Sequence, residues 1–229
     1  MKMKSKPTPP MLKAIIGENY LNFGEERDGV LYIPSSYDFK KHIPLLVFFH
    51  GAGGGVSSLK KFYRDAENFG IAVLLIESRE RTWDIIFTRT QKGLGEFNRD
   101  AKFLDKALRY TFNRCLIDYK KIALGGFSDG ASYALSLGAL NGELFTHIIA
   151  VAPGFIKHSN SFIGKPKIYI THGREDKALS IQYSQQRTVP YLKEKNYDVT
   201  YVEHNEGHLI NSEIVEKFLN WFLGEKSYK

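Results

Sequence analysis

The chain has one cysteine, Cys115, among 229 residues. No intrachain disulfide can form, which suits a reducing compartment. Apolar runs are short. No window approaches the roughly 18 uncharged apolar residues that a membrane helix needs. The N-terminal stretch 1–10 (MKMKSKPTPP) is charged and lacks the apolar h-region of a secretory signal. A cytoplasmic protein without a membrane span is therefore expected. There is no internal repeat and no Pro/Gly/Ser-rich linker, so residues 11–229 are expected to form one domain behind a flexible tail over 1–10. The net charge is +7 and the pI about 9.3, yet no long basic run exists. Lys2, Lys4 and Lys6 in the tail are the densest stretch, so a nucleic-acid partner is not expected. Metal signals are missing too. There is no H-E-x-x-H and no cysteine pair, and the histidines lack ligand spacing, so no metal and no other cofactor is expected.

What the chain has is a hydrophobic fraction of 43%, enough for one large core. It is arranged in strand-length apolar runs separated by stretches of helical period. Residues 19–24 and 29–33 flank a polar run and predict an antiparallel hairpin. Further strands are predicted over 44–49 (PLLVFF), 71–76 (IAVLLI), 121–124 (KIAL), 147–151 (HIIAV), 167–170 (KIYI) and 198–202. Runs apolar on both faces suit a parallel sheet covered by helices. Helices are predicted over 57–69, capped by Ser57 or Ser58, over 98–114 starting at Asn98, and over 131–140, 181–195 and 212–223. The order ββ-βαβαβαβαβα predicts the α/β class, with a doubly wound sheet and right-handed crossovers.

The sharpest local pattern is Gly126-Phe127-Ser128-Asp129-Gly130, a G-x-S-x-G between a predicted strand and a helix of small residues. In that setting the serine sits on a tight strand-to-helix turn that lifts its Oγ above the sheet. A Cβ at Gly126 or Gly130 would clash where strand and helix approach. The start of the helix also aims free N–H groups and the positive end of its dipole at that point. A second pattern, His50-Gly51-Ala52-Gly53-Gly54-Gly55, follows PLLVFF. Acyl transfer builds negative charge on a carbonyl oxygen, and a glycine-rich loop can turn backbone donors toward it. The expected donors are the N–H groups of Ala52 and of Asp129, the residue after the serine. A phosphate cradle is the competing reading. It is disfavoured because no Lys-Ser/Thr pair follows the glycines and the spacing is not G-x-G-x-x-G.

The third signal is order. Asp176, in THGREDKAL, and His208, in HNEGHLI, both follow predicted strands downstream of Ser128. Such a set supplies a nucleophile, a base that takes its proton, and a carboxylate that orients the base. Two neighbours compete for these places. Glu175 adjoins Asp176, and His204 lies just past its strand, whereas His208 follows the turn Glu206-Gly207. His50 and His172 end strands before glycines and are expected to shape loops.

The chain resembles the α/β-hydrolase superfamily on these residues: HGAGGG at 50–55, GGFSDGASYALSLG at 125–138, APGF at 152–155, HGREDKAL at 172–179 and EGH at 206–208. Within that superfamily it is similar to the phospholipase/carboxylesterase-like esterases and their relatives, the acyl-protein thioesterases and dienelactone hydrolases. The resemblance runs from Leu45 to Leu223. It implies the α/β-hydrolase fold, a mostly parallel central sheet with helices on both faces. It also implies a serine esterase with Ser128, Asp176 and His208 as triad. Two positions depart from the pattern. Dienelactone hydrolases carry cysteine at the elbow where this chain has Ser128. Carboxylesterases of this type often carry Val-Pro where this chain has Ala178-Leu179.

The expected activity is hydrolysis of a small-molecule carboxylic ester or thioester. Two rivals stand beside it: a peptidase or amidase of the same fold, and a binding protein that kept the pocket. Monomer and homodimer are equally compatible with the sequence. The stretch 77–97 is long for a loop, which suits a binding role. Its Trp83 and Phe87 either wall the pocket or plug the core. Trp83, Phe155, Ile156 and Leu209 are the candidate pocket walls. The interval between 151 and 167 is too short for a multi-helix lid, so an open, shallow site is expected.

Overall fold

The computed structural model describes residues 1–91 and 93–224. Lys92, within the 77–97 stretch, and the last five positions of the expected 11–229 domain lie outside the described residues. Eight strands form one sheet: β1 (Gly17–Tyr20), β2 (Gly29–Ile33), β3 (Ile43–Phe49), β4 (Ala72–Ile76), β5 (Ile117–Phe127), β6 (His147–Val151), β7 (Lys167–Gly173) and β8 (Val199–His204). The spatial order is β1-β2-β4-β3-β5-β6-β7-β8. The β1–β2 and β2–β4 pairs are antiparallel, and every later neighbour is parallel. The helices are α1 (Phe62–Phe69), α2 (Asp84–Phe87), α3 (Arg99–Phe112), α4 (Asp129–Ala139), α5 (Val189–Glu194) and α6 (Ser212–Leu223). The pleat of β3 shows how the layers form. Leu45, Val47 and Phe49 face α3 and α4, where they meet Leu104, Leu108 and Tyr133. Leu46 and Phe48 face α1 and α6, where they meet Phe62 and Phe218. All of these residues are buried.

Local chemistry accounts for several element ends. Gly70 closes α1 in the left-handed conformation, and its N–H donates to the Ala66 carbonyl. The Asn211 side chain accepts from Ile214 N–H and starts α6. Other boundaries differ from expectation. The predicted 57–69 helix divides into a 3-10 turn at Val56–Leu59 and α1. Val56 and Leu59, the buried pair of that turn, are spaced to match its three-residue period. The predicted 181–195 helix divides into a π turn at Tyr183–Thr188 and α5. Pro190 has no N–H to continue the α ladder, and the wider turn absorbs the defect. Among the described residues no helix stands between β6 and β7, as none was expected there, and the eight strands match the eight strand-length runs of the sequence.

The first residues of the 1–10 stretch are docked on the body of the protein. Met3 N–H donates to Asn141 Oδ1 at 2.6 Å, and the N–H groups of Lys4 and Ser5 donate to Asp105 Oδ1 at 2.8 and 2.9 Å. Met3 and Ser5 are buried. Two polar side chains from distant elements catch backbone donors that would otherwise be hydrated. Among the described residues, no helix is long and apolar enough to cross a membrane.

Candidate active site

Parallel strands β3, β5, β6, β7 and β8 bring their carboxyl ends to one edge, and the sequence-predicted site residues follow those ends. Ser128 stands between β5 and α4 with φ 58° and ψ −121°. A non-glycine residue in such a conformation stores about 1–3 kcal/mol of strain. The glycines explain how it is held. A Cβ on Gly126 would lie 2.3 Å from the Gly130 carbonyl, and a Cβ on Gly130 would lie 2.5 Å from the His50 carbonyl oxygen. Strand, helix and the end of β3 therefore meet backbone to backbone beneath the serine. Ser128 N–H is anchored to the Val151 carbonyl at 2.9 Å. Ala131 and Ser132 N–H both donate to the Ser128 carbonyl. Asp129 N–H has no acceptor among the described residues, and it points from the positive end of α4.

The glycine-rich loop after β3 is held from several sides. Gly53 N–H donates to the Arg81 carbonyl at 2.7 Å, and Gly54 N–H donates to the Gly51 carbonyl at 3.1 Å. The buried His50 ring donates from Nδ1 to the Gly51 carbonyl at 2.7 Å and accepts Ser78 N–H at Nε2, 2.9 Å away. Burial holds this imidazole below its ordinary pKa, which suits the neutral tautomer. Arg27, from the turn between β1 and β2, donates to the carbonyls of Gly54 and Ser78 at 2.7 and 2.5 Å and pairs with Glu77 at 3.7 Å. Glu77 in turn accepts Val56 N–H at 2.9 Å. Gly51 is packed so closely that a Cβ there would sit 3.2 Å from the Ser128 Cβ. With Gly53 and Gly54 engaged, Ala52 N–H is left without an acceptor among the described residues. His50 shapes the loop, and its neighbours in the clamp, Arg27 and Glu77, carried no local sequence signal because they act across elements.

The loops that carry Asp176 and His208 meet over Gly173, where a Cβ would lie 2.1 Å from the Glu206 carbonyl oxygen. That contact brings the chain after β7 against the chain after β8. His208 Nε2 stands 2.9 Å from Ser128 Oγ, and His208 Nδ1 stands 2.6 Å from Asp176 Oδ2. Nδ1 faces a carboxylate and so donates, which leaves the Nε2 lone pair for the serine hydroxyl. The Asp176 side chain is fully buried. Burial alone would raise its pKa, but N–H donors from Leu179 and Ala178 at 2.8 and 2.9 Å, with the histidine, outweigh burial and hold it below the ordinary value. His172, fully buried, sits beneath this carboxylate. Its Nε2 donates to the Leu179 carbonyl at 2.8 Å and lies 3.2 Å from Asp176 Oδ2, and Nδ1 accepts the Ser184 hydroxyl. The competing neighbours are elsewhere. Glu175 is exposed. His204 pairs with Gly173 in the sheet, and its ring nitrogens are buried without a partner.

Beside Ser128 lies a cavity of about 720 Å³ that reaches Asp129 and Ser132. Phe155 and Ile156 line it, as do Ile86, Leu94 and Leu179. Trp83 and Leu209 do not line it, and of the two readings of Trp83, wall or core, its burial is that of the core. Trp83 is fully buried, packs on Phe49 and Tyr133, and donates its indole N–H to the His50 carbonyl at 3.0 Å. It goes inward because its segment is pinned. Asp100 accepts the N–H groups of Arg79 and Asp84, each at 2.6 Å, on either side of the indole. Burial pushes the Asp100 carboxyl up to about 6. Leu209 packs instead with the hydrophobic cluster that includes α6. Phe87 is exposed. Beyond Trp83 the 77–97 stretch forms α2 and rims the cavity through Ile86, Arg89 and Leu94.

The sheet, its antiparallel N-terminal hairpin and the flanking helices make the α/β-hydrolase fold. Solved structures share it. Esterase PE8 superposes with a TM-score of 0.66 at 18% identity, covering 87% of this chain and 99% of its own. A Bacillus cereus carboxylesterase gives 0.62 at 21%, covering 88% and 95%. The S-formylglutathione hydrolase FrmB from Staphylococcus aureus gives 0.69 at 12%, covering 92% and 100%. No curated protein matches the chain in sequence. The phospholipase/carboxylesterase family model matches residues 37–223. The chain belongs to the phospholipase/carboxylesterase family and is a carboxylesterase-type hydrolase.

Proposed function

We propose that this protein hydrolyses carboxylic esters, and thioesters of similar shape, through an acyl-enzyme on Ser128. The observation that carries this reading is the line of hydrogen bonds from Ser128 Oγ through His208 to Asp176, at 2.9 and 2.6 Å. It ends on a serine in a strained turn beneath two unclaimed N–H groups. Ser128 Oγ attacks the carbonyl carbon while His208 Nε2 takes its proton. The tetrahedral oxyanion is held by the N–H groups of Ala52 and Asp129, reinforced by the α4 dipole. His208 then hands the proton to the leaving alcohol or thiol. Water, deprotonated by the same imidazole, resolves the acyl-enzyme. Asp176 keeps Nδ1 protonated and stabilises the imidazolium.

A fluorophosphonate probe with mass spectrometry tests this reading, together with turnover of p-nitrophenyl acetate and of a peptide p-nitroanilide. The expected result is a single adduct on Ser128 and ester turnover well above amide turnover. An unlabelled protein that still binds esters would make it a binding protein. Amide turnover equal to ester turnover would make it a peptidase or amidase.

A further inference from the structure

We propose that the substrate carries an anionic group, a carboxylate or its equivalent, on the arm that lies in the groove beside Ser128. This rests on Ser128 being the nucleophile and names the class of ester that it cleaves. The groove has an apolar lining but two guanidinium groups. Arg89 comes from the end of the 77–97 stretch and Arg187 from the π turn after β7, so two separate elements each contribute a cation to the same cavity. Neither is paired with a carboxylate among the described residues. Of the eight other arginines, five are paired with carboxylates among the described residues, and Arg64, Arg81 and Arg114 are not. Arg27, Arg79, Arg99, Arg109 and Arg174 all lie within ion-pair distance of an Asp or Glu. Asp129 is the single carboxylate of the lining, and its Oδ2 accepts the Thr82 hydroxyl at 2.6 Å.

Arg187 is also placed near an aromatic face, with its guanidinium carbon 5.4 Å from the centre of the Tyr183 ring. A flat cation set over a ring gives up little further freedom when it binds. Arg89 and Arg187 are both exposed at the rim of the groove, where a neutral ester arm would give them no partner. An anion between them would accept charge-assisted hydrogen bonds from both. The positive field of the rim would also raise the encounter rate of an anionic ester.

Two pairs of probes of near-equal shape test this. On the acyl arm, mono-p-nitrophenyl adipate is compared with its methyl ester. On the alcohol arm, p-acetoxybenzoate is compared with its methyl ester. In at least one pair the charged member should be favoured by about tenfold in kcat/KM, mostly through KM, and the ratio should shrink as ionic strength rises. The double variant Arg89→Gln/Arg187→Gln should bring that ratio close to one, and the double lysine variant should keep part of it. A wild-type ratio near or below one in both pairs overturns the proposal without any variant being made. So does a preference that survives the double glutamine change in protein with a wild-type CD spectrum. Failure of the underlying reading looks different: wild-type protein would take no fluorophosphonate on Ser128 and would turn over neither member of either pair.

Discussion

The two sides of the site are built by different means. Around Ser128 the geometry is set by backbone packed on backbone. Gly126 meets Gly130, Gly130 meets the end of β3, and Gly173 meets the loop that carries His208. The groove beside it is made by side chains from the 77–97 stretch, the interval after β6 and the turn after β7. The first side has almost no freedom, because one added carbon at any of these glycines collides with main chain. The second can change residue by residue without disturbing the sheet. A fold of this kind keeps its chemistry in the close contacts and leaves selectivity to the walls.

The comparison is broken most directly at Ser128, the proposed nucleophile. Ser128→Ala should lower kcat by on the order of 10³-fold or more with the fold retained. Asp176→Asn should lose a comparable amount by steady-state kinetics, while Glu175→Gln, an exposed neighbour, should stay within about twofold of wild type. Wild-type turnover in Ser128→Ala, or a larger loss in Glu175→Gln than in Asp176→Asn, would end the assignment.

Trp83 sharpens the contrast between core and groove. Trp83→Ala removes a fully buried indole and should cost about 3–5 kcal/mol, roughly ten degrees or more of Tm. Phe155→Ala should act mainly on how kcat/KM changes with acyl chain length, since each buried CH₂ is worth up to about 0.8 kcal/mol. Calorimetry beside a series of p-nitrophenyl esters separates the two. If Trp83→Ala were instead stable and altered only in chain-length preference, the indole would be a pocket wall after all.

A smaller effect is expected at Ala52. Ala52→Pro deletes one donor and should cost about 3 kcal/mol in kcat, on the order of a hundredfold. The variant is scored only if CD shows native structure, and full activity would move the second oxyanion donor to Gly51.

The smallest effect lies far from the chemistry and is read in stability. Burial and the charges of Lys121 and Lys167 hold His147 down to about 4, against an ordinary 6.5. Its folded value lies below its unfolded one, so the unfolded chain takes the proton first. The stability due to this neutral ring is present above about 6.5 and is lost as the pH falls through about 4. Asp100, raised to about 6, works in the opposite sense over much of that window. His147→Gln should therefore lose fewer degrees of Tm between pH 7 and 5 than wild type. Parallel Tm–pH curves would remove His147 as a source of acid sensitivity.

Much of the fold was legible because its signals are local. The strands at 29–33 and 147–151 and the helix at 212–223 coincide with their predicted bounds, since turn residues, a cap and a closing glycine mark them. The elbow was legible for the same reason: Gly126, Ser128 and Gly130 obey one steric rule within five residues. The 181–195 segment was less legible: it contains Pro190, and the structure divides it into a π turn and α5.

What the sequence determined by itself was therefore the order of elements, the tight turn at Ser128 and the identity of the few residues proposed to perform acyl transfer. What the tertiary structure decided was which of them meet. Glu175 and Asp176 are neighbours in the chain, and only the contact of Gly173 with the Glu206 carbonyl shows that the aspartate faces His208. Trp83 reads equally well as wall or core until Asp100 pins the backbone on either side of it. Arg27 reaches the glycine-rich loop, and Asp105 and Asn141 catch the N-terminus, through hydrogen bonds between residues far apart in the chain. Periodicity reports which face of an element is apolar. It carries no record of which distant side chain will complete a buried donor, because that depends on distances that exist only once the sheet has closed.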